Sequence, residues 1–236
     1  MKTVIYTACF GDHDQPAELP GFEGKADLVC FTDSPTLARE RKTWQVIRRR
    51  SRFKTARMDA KWYKMSASHL FPEHELSIYI DSSVRFHKTE GFLEHCIEAL
   101  RVSGARLAFY QHPEGQRTIL QEAEFSMTMS KYIGEPLIEQ ARHYYSSGYR
   151  DSELLAGGCI VRDQATCHLD NTERCNYPHD VARFEKAWFD ECVHWSAQDQ
   201  ISLPYVLSSE HIDYAVLPGS IYENEFFSRV WSGPDR

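Results

Sequence analysis

A short apolar run that stops at an aspartate constrains this chain more than any other feature. Ile78, Tyr79 and Ile80 are β-prone residues in an unbroken row, which predicts a strand buried on both faces. Asp81 follows directly and precedes two serines. Ligands of open α/β sheets bind at the carboxyl ends of the strands, so this position predicts a site for a metal ion or a polar ligand. An aspartate that caps a turn would leave the same pattern.

Other β-prone runs alternate with helical patterns along the chain. Strands are predicted at residues 3–10, 28–32, 44–47, 107–110 and 154–161, with 214–217 as the last strand. Helices are predicted at 52–70, 89–100, 118–131, 135–145 and 181–195, and an irregular surface excursion at 167–180. This alternation indicates an α/β protein, and 236 residues are enough for one domain to bury a core.

The helix predicted at 52–70 carries two distinct stripes. One stripe is cationic and consists of Lys54, Arg57, Lys61 and Lys64. The neighbouring stripe is apolar and consists of Met58, Trp62 and Met65, which predicts that this side docks on the sheet. Aligned cations without acidic partners repel one another, so the first stripe favours a bound polyanion such as a diphosphate. Solvated lysine side chains would explain it as well.

Charge is distributed unevenly over a chain whose formal net charge is −7. Residues 39–64 hold eleven Lys or Arg and two acids, whereas the remainder holds sixteen basic and thirty-two acidic residues. A cationic segment on an acidic protein predicts a local anion site and no nucleic-acid partner. A solvated charged face is the alternative.

The chain has no apolar run of transmembrane length, and its amino terminus runs straight into a strand pattern. We therefore expect no transmembrane segment, no signal peptide and a cytoplasmic location. Seven cysteines without small-scaffold spacing predict reduced, mostly buried thiols. Cysteine and histidine are frequent in residues 159–194, but no Cys-x-x-Cys or His-x-x-x-His pair is present there, which argues against structural zinc.

Two further groups of residues are candidates for chemistry. His112, Arg117 and Glu122 follow the strand at 107–110 and could form a polar cluster, although Arg117 and Glu122 could equally be a surface pair. With Asp81, His112 and Glu122 would suit a metal-assisted hydrolase. The Gly157-Gly158 pair lets another group approach the backbone closely, although a bulge or tight turn needs glycine too.

Motifs of other enzyme classes are missing. An aspartyl phosphatase needs an acid where Ser83 stands, and there is neither a Gly-x-Ser-x-Gly elbow nor a phosphate-binding Gly-x-x-x-x-Gly-Lys loop. Serine-hydrolase and P-loop interpretations therefore have no local support.

Six stretches taken together resemble a known family. They are residues 6–12 (YTACFGD), 27–33 (DLVCFTD), the Arg57/Lys61/Lys64 helix, 77–81 (SIYID), His112-Pro with Arg117, and the segment from Trp188 and Glu191 to 199–203 (DQISL). They look like a glycosyltransferase-like family that includes plant mucilage-related and turgor-regulation proteins. More remotely, residues 79–84, 156–158 and 199–200 resemble the metal motif, the Asn-Ala-Gly strand and the Asp-Gln motif of glycogenin-type and galactosyltransferase-type enzymes.

The resemblance implies a GT-A fold, a single nucleotide-diphosphosugar transferase domain over residues 1–236. Its mixed, mostly parallel sheet would be flanked by helices, with a nucleotide-binding half at 1–110 and an acceptor and sugar half at 111–236. The implied donor-binding residues are Thr7, Asp12, Asp33, Arg57, Lys61, Lys64 and Asp81. The implied sugar- and acceptor-binding residues are Gly157, Gly158, Gln200 and Arg117, and the implied catalytic residues are Asp199, Glu191 and His112.

One departure from the remote relatives concerns the metal. Their Asp-x-Asp motif is Asp81-Ser-Ser83 here, and a serine hydroxyl binds Mg²⁺ or Mn²⁺ much more weakly than a carboxylate does. Either Asp81 holds the metal with another group such as His211, or the cationic helix replaces the metal.

The function implied by the resemblance is sugar transfer from a UDP- or GDP-linked donor to a glycan or other hydroxyl acceptor. The expected setting is bacterial surface-polysaccharide or glycoconjugate synthesis. Besides the metal-assisted hydrolase, a non-catalytic nucleotide- or glycan-binding module stays open as an alternative, since an incomplete metal motif is what a decayed enzyme would show.

Overall fold

The computed structural model describes residues 1–11, 15–165 and 177–230. The strands are β1 (Thr3–Cys9), β2 (Asp27–Thr32), β3 (Gln45–Arg48), β4 (Leu76–Ile80), β5 (Val84–Phe86), β6 (Leu107–Gln111), β7 (Leu155–Asp163), β8 (Tyr214–Leu217) and β9 (Phe227–Arg229). The helices are α1 (Leu37–Glu40), α2 (Ala56–Lys64), α3 (Ala67–Leu70), α4 (Phe92–Ser103), α5 (Ile119–Ser126), α6 (Leu137–Ser146), α7 (Tyr177–His194) and α8 (Asp199–Ser209), with a 3-10 helix at Ser130–Tyr132.

Seven of these strands form one sheet in the order β3-β2-β1-β4-β7-β6-β8. In this sheet β7 runs antiparallel to its neighbours β4 and β6, and the other pairs are parallel. The predicted α/β fold with a mixed, mostly parallel sheet is therefore confirmed. After β1 the strand order proceeds outward to β2 and β3 on one side and continues with β4 on the other, a topological switch point of the kind where ligands bind. Asp81 follows β4 at that edge.

Helices cover both faces of the sheet because the central strands are apolar on both sides. All seven residues of β1 are buried. On one face α4 packs Phe92, Cys96 and Leu100 against the sheet. On the other face lie α2, α3, α7 and α8, whose inward residues include Tyr63 and Trp188. Within the described ranges, no helix has both the length and the apolar character needed to cross a bilayer.

The helix predicted at 52–70 is interrupted, so that α2 ends at Lys64 and α3 begins at Ala67. A continuous helix would join the Lys64 carbonyl to the Ser68 N–H. Instead that carbonyl accepts from Tyr6 and from Arg162, at 2.9 and 2.6 Å, and the Ser68 N–H donates to Glu185 at 3.0 Å. Buried side chains from β1, β7 and α7 thus satisfy the backbone groups that the break exposes.

The apolar stripe packs against the sheet as predicted, since Met65 is a core residue and the half-buried Met58 and Trp62 pack against the same core. The fully buried residues of α2 itself are different ones, namely Asp59, Tyr63 and Lys64. Asp59 faces inward because its carboxylate accepts the backbone N–H groups of Arg52 and Phe53, at 2.6 and 3.3 Å, and thereby ties the preceding loop to the helix.

Two strands, β5 and β9, were absent from the sequence prediction, so the last strand is β9 and not β8. Strands β5 and β9 form a separate antiparallel pair in which Val84 lies opposite Arg229. Three residues each are too few for a periodic pattern to reveal. The described part of the excursion predicted at 167–180 is helical, since α7 begins at Tyr177. The five cysteines in the described ranges are free and buried, whereas Cys167 and Cys175 lie outside them.

Candidate functional site

Two lysines and one aspartate form a compact charged group, here called the lysine cluster. Lys61 and Lys64, in the last turn of α2, each place Nζ 2.5 Å from Oδ2 of Asp199, the first residue of α8. The side chains of Lys61, Lys64 and Asp199 are 14%, 5% and 6% exposed. The Trp188 indole N–H donates to the Asp199 carbonyl at 3.1 Å and holds the start of α8 in place. The cluster carries a net charge of +1 when all three groups are ionised.

The ionisation of the lysine cluster follows from its burial. Burial alone would raise the pKa of the Asp199 carboxyl, but the Lys61 and Lys64 ammonium groups outweigh burial and hold that pKa well below its usual range. Burial lowers the pKa of Lys61, and the Asp199 carboxylate only partly offsets this effect. Asp199 is therefore a stable anion and a poor proton acceptor at neutral pH.

We expect Asp199→Asn to flatten the acid dependence of stability. The unfolded chain binds a proton at Asp199 near its ordinary pKa of about 3.9, whereas the folded chain resists protonation. Between the lowered pKa of the folded state and the ordinary pKa of the unfolded state, the unfolded chain thus holds more protons. The free energy of unfolding therefore falls as pH drops through this range. Urea titrations from pH 6 to acid should show a shallower fall in Asp199→Asn than in wild type.

A matched control for this titration is Asp190→Asn, which removes a carboxylate whose side chain is 57% exposed. It should keep the slope of the wild type. Equal slopes in wild type and Asp199→Asn would contradict the assignment of a lowered pKa to Asp199.

A second charged group, here called the arginine cluster, lies at the end of β4. Arg229 donates from Nη2 to Asp81 Oδ2 at 2.8 Å and from Nε to Ser83 Oγ at 2.9 Å. The Tyr79 hydroxyl donates to Asp81 Oδ1 at 3.1 Å, and the Asp81 N–H donates to the Gly158 carbonyl at 2.8 Å. The sequence prediction missed Arg229, because nothing near residue 229 marks it as a partner of Asp81.

Adjacent glycines of β7 bring the two clusters together. A Cβ on Gly157 would lie 2.7 Å from Lys64 Nζ, and a Cβ on Gly158 would lie 3.0 Å from Asp81 Oδ2. The strand is irregular here, because its register with β6 jumps between Ile160 and Ala156. Tyr79 joins the clusters, since Lys64 Nζ lies 5.4 Å from its ring centroid while its hydroxyl contacts Asp81. Both glycines therefore admit charged groups that any other residue would displace.

The residues predicted to bind the nucleotide lie at the neighbouring strand ends. Asp33, just after β2, accepts the Gly11 N–H at 3.0 and 3.2 Å with its two carboxylate oxygens. Gly11 needs φ +69°, and a Cβ there would approach Ala56 Cβ at 3.0 Å, so the loop after β1 touches the start of α2. Thr7 is fully buried, and its hydroxyl has no hydrogen-bond partner within the described ranges. Asp12 lies outside the described residues.

Arg57 does not join the lysine cluster. It turns toward the 3-10 helix, donates to the Lys131 carbonyl at 2.6 Å and pairs with Glu135 at 3.1 Å. Its guanidinium also lies 4.9 Å from the Tyr132 ring centroid. The predicted cationic stripe is therefore not one surface: Arg57 pairs with Glu135, while Lys61 and Lys64 pair with Asp199.

A third polar group surrounds Glu122, which is 2% exposed. Its carboxylate pairs with Arg117 at 2.7 Å and accepts the Gln198 side-chain amide at 3.1 Å. That amide also lies 3.4 Å from Gln200 Oε1. His112 is buried close by, and burial lowers its pKa despite the opposing effect of Glu122. The predicted cluster of His112, Arg117 and Glu122 thus exists, and it adjoins the start of α8.

Glu191 belongs to a different surface. It accepts the Tyr144 hydroxyl at 2.6 Å and lines an open cavity of 650 Å³ with His143, Asp190, Val193, His194 and Trp195. Of the residues predicted for the site, only Glu191 lines this cavity. The two charged clusters, and not this cavity, are the candidate site, because they lie at the carboxyl edge of the sheet, where ligands of open α/β folds bind.

The residues at the metal motif do not fit a divalent cation. The Asp81 carboxylate and the Ser83 hydroxyl, its predicted ligands, both accept hydrogen bonds from Arg229. Within the described residues, no three His, Cys, Asp or Glu side chains come together as a metal-binding group, so Asp81, His112 and Glu122 do not form one. His211, the other group considered as a ligand beside Asp81, follows the carboxyl-terminal end of α8 and lines a cavity to which Asp81 does not contribute.

Comparison with known protein families identifies the chain over most of its length. The model of the family described as "TOD1/MUCI70, glycosyltransferase-like domain" matches residues 1–219. No curated protein matches the chain.

Proposed function

Because the chain belongs to the TOD1/MUCI70 glycosyltransferase-like domain family, we propose that it transfers a sugar from a UDP- or GDP-linked donor to a hydroxyl group of a glycan or other acceptor. Glycoconjugate or surface-polysaccharide synthesis would use such a reaction. The family supports a general glycosyltransferase role, and the proposal adds the donor class and the residues that bind it.

One observation carries the proposal: the lysine and arginine clusters meet at Gly157 and Gly158, on the carboxyl edge of the sheet at its switch point. Cleavage of the anomeric bond builds positive charge on the sugar and negative charge on the departing diphosphate. Fixed cations at this edge stabilise the second charge. The diphosphate would lie against Lys61 and Lys64, and the sugar would lie over the paired glycines.

Three residues were predicted to be catalytic, and their surroundings favour roles other than proton transfer. Asp199 is held ionised by two ammonium groups, so we assign it the positioning of Lys61 and Lys64. Glu191 lines the open cavity beside His143 and Trp195. His112 Nδ1 accepts the Glu114 N–H at 3.1 Å, which assigns the proton of the neutral ring to Nε2 and makes that atom a donor. The proposed catalysis therefore relies on leaving-group stabilisation more than on proton abstraction.

The remaining predicted residues take the roles that their positions allow. In the proposal, Asp12 and Asp33 contact the nucleoside, whereas Thr7 is fully buried in β1 and does not reach it. Arg57 supports α2 through its contacts with the 3-10 helix. Gln200, in the first turn of α8, and Arg117, which lies close to His112, face the acceptor. This division puts the nucleotide mainly in residues 1–110 and the acceptor in 111–236.

The deciding experiment is calorimetric titration of the chain with UDP and with GDP. We expect one nucleotide to bind, and Lys61→Ala/Lys64→Ala to weaken that binding by at least roughly 100-fold, since two charge-assisted contacts are lost. The matched control is Lys42→Ala/Lys54→Ala, which removes two exposed lysines of the same cationic segment and should bind as wild type does. Failure of both nucleotides to bind at millimolar concentration would refute the proposal.

A further inference from the structure

We propose that Arg229 takes the place of a metal ion at the Asp81-Ser-Ser83 motif, so that the donor diphosphate is bound without a divalent cation. This inference rests on the sugar-nucleotide transfer proposed above and assigns part of its binding site to a residue outside the family match. Arg229 lies ten positions beyond residue 219, where that match ends.

The first support is the geometry of the guanidinium. Nη2 lies 2.8 Å from Asp81 Oδ2 and Nε lies 2.9 Å from Ser83 Oγ, so Arg229 contacts the two side chains that an Asp-x-Asp motif would offer to a metal. A serine hydroxyl is a weak ligand for Mg²⁺ or Mn²⁺ but a good acceptor for an N–H donor. The substitution that impairs a metal site therefore suits an arginine.

A second support is the rigidity of the strand that carries this arginine. The Arg229 N–H donates to the Tyr222 carbonyl at 2.8 Å, and the Val230 N–H donates to the Ser83 carbonyl at 2.9 Å. Phe227, two residues earlier, packs its ring 5.3 Å from that of Phe86 on the paired strand β5. The arginine is thus anchored to the same short sheet that begins directly after the Asp-Ser-Ser motif.

The third support is chemical. A guanidinium presents several donors in a planar fork that matches phosphate oxygens, and it keeps its charge at any physiological pH. Asp81 neutralised by Arg229 no longer repels a diphosphate. The Arg229 side chain is 24% exposed, so a ligand at the sheet edge can reach it. Together with the lysine cluster, it places fixed N–H donors on both sides of Gly157 and Gly158.

The test compares wild type, Arg229→Ala and Ser83→Asp/Arg229→Ala by calorimetry with UDP and GDP, each in EDTA and in MnCl₂. We expect wild type to bind its nucleotide equally well in both buffers. Arg229→Ala should bind roughly 10- to 100-fold more weakly in EDTA, as loss of a charge-assisted contact predicts. The double variant restores an Asp-x-Asp motif, and it should regain affinity in MnCl₂ only.

Arg229→Lys serves as the folding-safe variant, because it keeps the charge but cannot reach Asp81 and Ser83 with one rigid fork. It should also weaken binding in EDTA while its thermal midpoint stays near that of wild type. Wild-type binding that requires Mn²⁺, or binding in EDTA that neither Arg229 variant changes, would overturn the role of Arg229 and leave the transferase proposal standing. Absence of any nucleotide binding by wild type in both buffers would overturn both.

Discussion

Arg162→Ala should lower the free energy of unfolding by about 3 to 5 kcal/mol, because it leaves a buried carboxylate without its counter-ion. Arg162 is fully buried, and its Nε lies 2.8 Å from Oε1 of Glu185, an ion pair in which the Nε–H itself forms no hydrogen bond. Glu185 is 2% exposed and also accepts the N–H groups of Ala67 and Ser68, at 2.9 and 3.0 Å. Truncation of Arg162 therefore strands a charge beside the break between α2 and α3. Urea unfolding followed by circular dichroism measures the loss.

A double variant separates the stranded charge from the lost packing. Arg162→Met/Glu185→Gln removes both charges, fills most of the arginine volume and keeps a side-chain oxygen for the α3 N–H groups. It should recover a large part of the stability, since replacing a buried ion pair by neutral groups costs far less than breaking it. A loss below about 1 kcal/mol in Arg162→Ala would show that the pair contributes little.

The sheet and the position of Asp81 could be predicted because the relevant information is local. A strand buried on both faces is a continuous apolar run, and residues 78–80 and 4–6 show such runs directly. Polar residues that end those runs must lie at the edge of the sheet. The sequence alone therefore located the edge where the candidate site is found, and the paired glycines of β7 pointed to the same place.

The contacts that organise the site could not be predicted, because their partners are far apart in sequence. Arg162 contacts the Lys64 carbonyl across 98 positions, and Arg229 contacts Asp81 across 148. No periodic pattern links such residues. The cationic spacing of α2 showed correctly that Lys61 and Lys64 share a face, but it gave no hint that Arg57 would turn to Glu135 or that Asp199 would neutralise one of the two lysines.

The break after Lys64 explains how a helix that looks continuous in sequence serves the site. Because Arg162 and Tyr6 take the Lys64 carbonyl, α2 stops with this lysine in its last position. Its ammonium group then lies beside Gly157 and Asp199 instead of continuing along a solvent-facing stripe. The buried ion pair that stabilises the fold therefore also positions a residue proposed to bind the diphosphate.

Lys64→Met should slow sugar-donor turnover by roughly 100- to 1,000-fold, the cost of removing one preorganised group that stabilises transition-state charge. Methionine keeps an unbranched apolar chain between Tyr79 and Trp188, whose ring centroids lie 5.4 and 5.6 Å from Lys64 Nζ. Ground-state affinity for the nucleotide should fall only about tenfold, since one charged contact is lost. The difference arises because charge on the diphosphate increases as the anomeric bond breaks, so the ammonium group contributes more in the transition state. Release of UDP from UDP-glucose, or of GDP from GDP-mannose, with water in place of the acceptor measures turnover.

Lys54→Met provides the matched control for that loss, because Lys54 is exposed in the loop before α2 and belongs to the same cationic segment. It should leave turnover and nucleotide affinity unchanged. If Lys64→Met lowered affinity for the donor but left kcat unchanged, Lys64 would stabilise the bound donor and the transition state equally, and its role would be binding alone. If it changed turnover by less than about threefold while the donor still bound, leaving-group stabilisation by the lysine cluster would be wrong. Stabilisation of the leaving diphosphate would then have to come from Arg229, on the other side of the glycine pair.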